Sequence, residues 1–220
     1  MSHVVEAIAA LVSGRSRRRK FQDFLDEFSP HPGNTIIDVG VNDEEYSPFD
    51  NYLEKKYPHP QMITAVSHVA LDHFRRRYPK VTAIVGDGLA LDFEDKSFDI
   101  SYSNAVLEHV GGRASQIAFL RELLRVARRG YVTTPSRFFP VEIHTRVPLL
   151  HLLLPKAQFD RFLVAIGKEW ATGDYMNLLG KRDLVSMLAS AGVEHYTIRT
   201  SRFLGFPLTY TVTWGAHGAS

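Results

Sequence analysis

Short apolar runs alternate along this chain with stretches whose apolar residues recur every three or four positions. That alternation constrains the fold more than any other feature. The runs fall at residues 34–40, 61–66, 81–85, 98–104 and 131–134. Each is the length of a strand and is bounded by glycine, proline or a polar cluster. Between them, Leu71, Phe74 and Tyr78 predict a helix over 69–78, and Ile117, Leu120, Leu123, Leu124 and Ala127 predict one over 116–128. Pro48, with Ser47 as its cap, predicts a helix over 49–57. Gly130 reads as a stop for the 116–128 helix, with Arg125, Arg128 and Arg129 placed against its C-terminal dipole. A further stripe (Leu184, Val185, Leu188, Ala189) predicts a helix over 181–191. Two last strands, at 195–202 and 208–214, are joined through Gly205-Phe206-Pro207. The expected fold is α/β: a doubly wound, mostly parallel seven-stranded sheet with helices on both faces, closed by an antiparallel strand from the C-terminal hairpin.

At 220 residues the chain is expected to form one domain, comprising an N-terminal helical segment (1–33), the sheet, and an inserted segment at 136–180. A formal charge of +2 is too small to argue for a nucleic-acid partner, and none is expected. The local exception is Arg15-Ser16-Arg17-Arg18-Arg19-Lys20, between two helical stripes (Val4 to Val12, then Phe21, Phe24, Leu25 and Phe28). It suits a membrane surface, an anionic substrate or a solvated helix face. Zero cysteines exclude disulfides, thiolate metal sites and cysteine nucleophiles. No run approaches the roughly 18 apolar residues of a membrane span. Glu6 interrupts the first apolar stretch, so no secretory signal is read there. The expectation is a soluble, cytoplasmic protein.

The strand over 98–104 alternates Phe98, Ile100 and Tyr102 with Asp99, Ser101 and Ser103, and stops at Asn104. Glu108 and His109 follow before Gly111-Gly112 breaks the chain. Ligands of open α/β sheets bind at the C-terminal ends of strands, which makes Asn104, Glu108 and His109 candidate site residues. A polar strand-to-helix loop without a ligand is the alternative. The other strands end in Asp38 and Gly40, in Ser67-His68, and in Gly86-Asp87-Gly88.

Taken in order, Ile36-Ile37-Asp38-Val39-Gly40, Gly86-Asp87-Gly88, Phe98-Asp99-Ile100, Asn104-Ala105-Val106-Leu107-Glu108-His109-Val110, Glu122-Leu123-Leu124-Arg125-Val126 and Val132-Thr133-Thr134-Pro135 resemble the class I S-adenosylmethionine-dependent methyltransferases, in particular the type-11 methyltransferase domain. The resemblance covers about residues 35–135 and implies a Rossmann-like methyltransferase fold with S-adenosylmethionine as cofactor. It assigns Asp38 and Gly40 to the methionine end, Asp87 and Gly88 to adenine, and Asn104 with Val106 to the cofactor wall beside the methyl. Two positions depart from the family pattern. Its first loop reads Gly-x-Gly-x-Gly, whereas Asn42 and Glu44 stand at the second and third places here. Asn42 tolerates the turn's backbone, and Glu44 either narrows the space or offers its carboxylate to the cofactor's amine. Ser67, followed by His68, holds the place of the ribose-binding acid; serine lacks the carboxylate's bidentate reach, so Asp43 or Asp72 is a possible substitute.

The loop Pro135-Ser136-Arg137-Phe138-Phe139-Pro140-Val141-Glu142-Ile143-His144-Thr145 resembles one found in methyltransferases of glycan, lipid and secondary-metabolite pathways. The activity implied is methyl transfer to such a small molecule. His109 and His144 are the expected bases, oriented by Glu108 and Glu142. A metal held by Glu142, His144 and either His109 or His151 is a rival, as is a purely loop-anchoring role; no metal is expected. A leucine-rich lid over 149–170 suits an apolar substrate, peripheral membrane contact or a homodimer, with plain core packing as the alternative. A degenerate scaffold without turnover is the alternative function. An NAD-dependent oxidoreductase fits poorly, since the first loop lacks Gly-x-Gly-x-x-Gly and Asp43-Glu44-Glu45 would repel a pyrophosphate.

Overall fold

The computed structural model describes residues 3–142, 145 and 147–215, with side chains from residue 14 onward. The helices are α1 (His3–Phe28), α2 (Tyr52–Lys56), α3 (Asp72–Arg77), α4 (Arg113–Val126), α5 (Leu150–Leu153), α6 (Lys156–Ala165) and α7 (Lys181–Ala191). The strands are β1 (Ile36–Val39), β2 (Ile63–Ser67), β3 (Thr82–Val85), β4 (Phe98–Asn104), β5 (Ala127–Pro135), β6 (Tyr196–Phe203) and β7 (Phe206–Trp214). They form one seven-stranded sheet in the order β3-β2-β1-β4-β5-β7-β6. β7 runs antiparallel between β5 and β6; the other pairings are parallel. This is the doubly wound sheet that the alternation predicts. β1, apolar at three of its four positions, is buried throughout at the centre, as a strand covered on both faces must be.

Two cores lie against the sheet. One gathers Ile37, Val39 and Val132 with Leu120, Leu123, Leu184 and Leu188 from α4 and α7. The other gathers Ile36, Ile100, Tyr102 and Tyr131 with Phe24, Phe28 and Phe74 from α1 and α3. Phe24 sets its ring edge-on to Tyr102 and Tyr131, with centroids at 5.2 and 5.5 Å, while those two tyrosines stack at 5.3 Å. Burying a phenylalanine of this kind contributes about 2–3 kcal/mol, so Phe24 and Phe28 suffice to dock α1 across β4 and β5. The segment after β5 has its own small core of Val147, Phe159, Leu163, Ala171 and Met176. No described helix is long and apolar enough to cross a membrane.

Several boundaries differ from expectation, each for a local reason. The two predicted N-terminal stripes form one continuous helix, α1. Pro48 does not open a helix: Asp50 accepts the N–H groups of Tyr46 and Ser47 in a turn (2.9 Å each), and α2 starts only after Asn51, at φ +47°. α3 is shorter than 69–78. Gly130 is not a helix stop. It lies inside β5, where the Trp214 ring packs on its bare α-carbon, and α4 passes directly into β5 at Ala127. Arg125 turns from the helix terminus to clamp the 91–95 loop, donating to the Leu91 and Phe93 carbonyls (2.7 Å each) and to Asp95 (2.9 Å).

Candidate active site

β1 and β4 are neighbours while β2 and β5 flank them, so the chain reverses its winding between β1 and β4 and opens a crevice at their C-terminal ends. The register fixes what lines it. Asp38 pairs with Ala65 on one side and Tyr102 on the other, Ser67 with Val85, and Asn104 with Thr133. Asp38, Gly40, Ser67, Asp87 and Asn104 therefore lie at or just beyond one edge of the sheet, as expected.

Gly40 turns the chain out of β1 at φ +104°, and its N–H donates to the Val66 carbonyl at 2.8 Å. Val106 fills the space a β-carbon on Gly40 would take. The acidic loop beyond is held by its surroundings. Asn42 N–H donates to Asn51 Oδ1 (3.0 Å), and Asn51 Nδ2 donates back to the Asn42 carbonyl (2.8 Å). Asp43 accepts the Phe74 N–H at 2.8 Å, Glu44 pairs with His73, and Glu45 pairs with Lys55 at 2.8 Å and accepts the Tyr78 hydroxyl. The expected uses of Glu44 for the cofactor's amine and of Asp43 for ribose thus meet side chains already committed to α2 and α3. Asp43, Glu44 and His73 bring three donor atoms within 4.8 Å of one another at the surface; their own hydrogen bonds and ion pair account for that grouping. Asp72 is exposed on α3 and faces Arg75 at 3.7 Å.

Ser67 is buried at the end of β2, whereas His68 is exposed. Asp87 is exposed, with one oxygen accepting Leu89 N–H at 2.9 Å, so its carboxylate keeps acceptor capacity. Gly88 is required by packing: a β-carbon there would meet Phe119 and Val39.

Beneath the first loop lies a pair of carboxyls, Asp38 and Glu54, each less than a tenth exposed. Burial, with the neighbouring Glu54 charge, pushes Asp38 well above the usual carboxylate range, opposed by Arg17. Burial likewise raises Glu54 to about 7. Such a pair holds a proton near neutral pH, because ionising both so close together is unfavourable.

At the end of β4, Asn104 Oδ1 accepts from Thr133 Oγ1 (2.7 Å) and from Lys20 Nζ (3.4 Å). Ala105 follows at φ +59°, held by its N–H bond to the Thr133 carbonyl. Strain of this kind persists only where neighbours enforce it. Glu108 is fully buried, and its Oε2 accepts from Thr134 Oγ1 at 2.9 Å. Its Oε1 lies 3.9 Å from His109 Nε2. His109 packs on Tyr175, and its Nδ1 meets the Tyr175 carbonyl at 2.8 Å.

Glu142 is buried and accepts both the N–H and the hydroxyl of Thr145, which fits the loop-anchoring role weighed from the sequence. His144 lies outside the described residues. His151 Nε2 meets the Phe139 carbonyl at 3.0 Å. A cavity of about 320 Å³ opens between this loop and α6, walled by Phe138, Glu142, His151, Phe159, Met176 and Asn177. Asn177 N–H donates to the Glu108 carbonyl at 2.8 Å, which ties the cavity wall to the turn after β4.

Sequence reading missed Lys20, Arg17 and Glu54. For the first two a signal existed. Arg17, Phe21, Phe24 and Phe28 fall at helical spacing, as do Lys20, Phe24 and Phe28, so both cations share the face that the phenylalanines bury.

Residues 49–132 match the methyltransferase-domain family. Among solved structures, an S-adenosylmethionine-dependent methyltransferase from Methanosarcina mazei is similar at 18% identity, over 84% of this chain and 92% of that one (TM-score 0.51). Geranyl diphosphate C-methyltransferase from Streptomyces coelicolor, solved with Mg2+, geranyl diphosphate and S-adenosyl-L-homocysteine, is similar at 13% identity, over 91% and 79% (TM-score 0.59). Phosphoethanolamine N-methyltransferase 2 from Haemonchus contortus, solved with phosphomonomethylethanolamine and S-adenosylhomocysteine, is similar at 14% identity, over 84% of this chain and 39% of that one (TM-score 0.56). No curated protein matches the sequence. The match shows a methyltransferase domain within the chain, and the solved structures share its fold. The domain is the methyltransferase domain expected from residues 35–135, matched over 49–132.

Proposed function

We propose that this chain methylates a small molecule of glycan, lipid or secondary-metabolite type, in the crevice between β1 and β4. The observation that carries the reading is the gathering of Asp38, Gly40, Ser67, Asp87 and Asn104 at one sheet edge. Their chemistry suits S-adenosylmethionine, whose ammonium, ribose hydroxyls and adenine amine are donors: Asp38, Ser67 and Asp87 supply acceptors. Asp38 and Gly40, with Asn42 fixing the loop, would hold the methionine end. Ser67 and His68 flank the ribose place, Asp87 and Gly88 the adenine, and Asn104 and Val106 form the wall. Bound there, the cofactor supplies an electrophilic sulfonium methyl; the protein then has chiefly to position the acceptor.

The acceptor side is the turn after β4 and the cavity next to it. Glu108, held by Thr134, lies with its second oxygen 3.9 Å from His109 Nε2, while the Tyr175 carbonyl at Nδ1 orients the imidazole. Phe138, Phe159 and Met176 give the cavity an apolar wall, and Leu149, Leu152, Leu153 and Trp170 are exposed on the segment that forms it. An acceptor with an apolar portion fits this lining. The Haemonchus and Streptomyces proteins, solved with phosphomonomethylethanolamine and geranyl diphosphate respectively, favour a small-molecule acceptor over a macromolecule.

The test is label transfer from tritiated-methyl S-adenosylmethionine to separate pools of hydroxylated lipids, glycosides, phenolic metabolites, RNA and protein. Label in a small-molecule pool supports the reading. Label confined to RNA or protein, or to none, overturns it.

A further inference from the structure

Lys20 stands where the N-terminal helix crosses the end of β4. Its carbonyl accepts the Tyr131 hydroxyl at 2.8 Å, and Phe24, one turn on, is locked between Tyr102 and Tyr131. These contacts fix the helix phase, so Lys20 Nζ is directed at the crevice, 3.4 Å from Asn104 Oδ1. That oxygen already accepts a shorter bond from Thr133 Oγ1.

The surroundings suit an amine better than an ammonium. An ammonium has three N–H donors to satisfy, and among the described residues Lys20 donates to one acceptor, Asn104 Oδ1, at the long end of hydrogen-bonding distance. The charges around it are Arg17 on the same helix and Glu108 on the turn after β4, with His109 on the far side of Glu108. Arg17 also opposes the rise of the buried Asp38 carboxyl of β1, which neighbours Glu54 of α2. Thr133 of β5 and Asn104 of β4 contribute no charge. Burial, reinforced by Arg17 and partly offset by Glu108, lowers the amine to about 7. A lone pair is then available at neutral pH, beside the strand end that carries the methyl-transfer site in the reading above.

We propose that Lys20 is the catalytic base, its neutral amine taking the proton from an acceptor hydroxyl or protonated amine held beside Asn104. This rests on the methyltransferase reading of the crevice. In the step, the acceptor's O–H or N–H bond breaks and its proton passes to Nζ. The acceptor atom bonds to the methyl carbon, whose bond to sulfur breaks with the electron pair left on sulfur. One positive charge leaves the sulfonium and one appears on Lys20.

The test needs no acceptor. Trace acetylation with acetic anhydride across pH 5 to 11, read by mass spectrometry of the Lys20 peptide, titrates this amine in the free protein, with S-adenosylmethionine and with S-adenosylhomocysteine. The two ligands differ by one methyl and one charge at sulfur. An amine at the reacting centre should titrate near neutral pH when free, and roughly half a unit or more lower with the sulfonium than with the thioether. A midpoint near the ordinary lysine value of about 10.4 overturns the proposal. So does an identical midpoint with the two ligands, provided both raise the unfolding temperature. If neither ligand raises that temperature, the cofactor reading of the crevice falls, and this assignment with it.

Discussion

Val106 packs directly onto the bare α-carbon of Gly40, so that a β-carbon at residue 40 would fall inside the valine side chain. The first loop and the turn after β4 are thereby joined across the crevice. Gly40→Ala meets this contact and also carries an L side chain at φ +104°. The expected loss is about 2 kcal/mol or more in urea unfolding. Adding Val106→Ala should recover part of it, because it relieves the overlap but leaves the backbone strain. Full recovery would show that φ at Gly40 costs nothing.

Glu54 gives a pH signature. Its carboxyl titrates near 7 in the folded chain and near 4.3 when unfolded. Between these values the folded state holds the extra proton, so stability falls as pH rises from about 4.5 to 7, and the penalty persists above that. Glu54→Gln should therefore stabilise the protein at pH 8 by an amount on the order of 1–3 kcal/mol, and do little at pH 4.5. Thermal unfolding at the two pH values measures it; an equal effect at both would contradict a raised carboxyl.

Gly130→Ala should cost about 1–3 kcal/mol, since the Trp214 ring covers the α-carbon in the middle of β5 and the indole has to move. Chemical denaturation checks this, with Gly112→Ala as a comparison, because a β-carbon there meets nothing within 4 Å.

Glu142→Gln tests the role of a residue first read as catalytic. Its carboxylate caps Thr145 within the loop, so the variant should expose that loop to limited proteolysis; with Glu142 acting outside the cofactor crevice, the affinity for S-adenosylhomocysteine should stay within about twofold. A large loss of affinity would place Glu142 in the cofactor site.

The bounds of strand β4 and helix α7 were legible, because Phe98 to Ser103 alternates and Leu184 and Leu188 recur at helical spacing, although Val185 and Ala189 of the expected stripe are exposed and Met187 and Ala191 are buried instead. The strand-end residues Asp38, Gly40, Asp87 and Asn104 were legible for the same reason: a strand's end marks its rim. Gly130 was not. A glycine after a helix and a glycine beneath an indole look alike until the antiparallel partner β7 is known. Nor was the commitment of Asp43, Glu44 and Glu45 to α2 and α3, because their partners His73, Phe74, Tyr78 and Lys55 lie up to thirty-three residues away along the chain. Lys20 was hidden in plain composition. Six positions from Arg15 to Lys20 look equally solvated until the phase of Phe24 and Phe28 turns two of them inward.

The most direct measurement of the central claim is thermal unfolding with S-adenosylhomocysteine, S-adenosylmethionine and NAD, on the native chain and on Asp87→Ala. A ligand at about 100 times its dissociation constant adds about 2.7 kcal/mol, which for a chain of this size raises the midpoint by roughly 5–10 °C. The account predicts that rise with the two adenosyl ligands, none with NAD, and its loss in Asp87→Ala. No shift at millimolar S-adenosylmethionine or S-adenosylhomocysteine would contradict the cofactor site, and an undiminished shift in Asp87→Ala would contradict its adenine end.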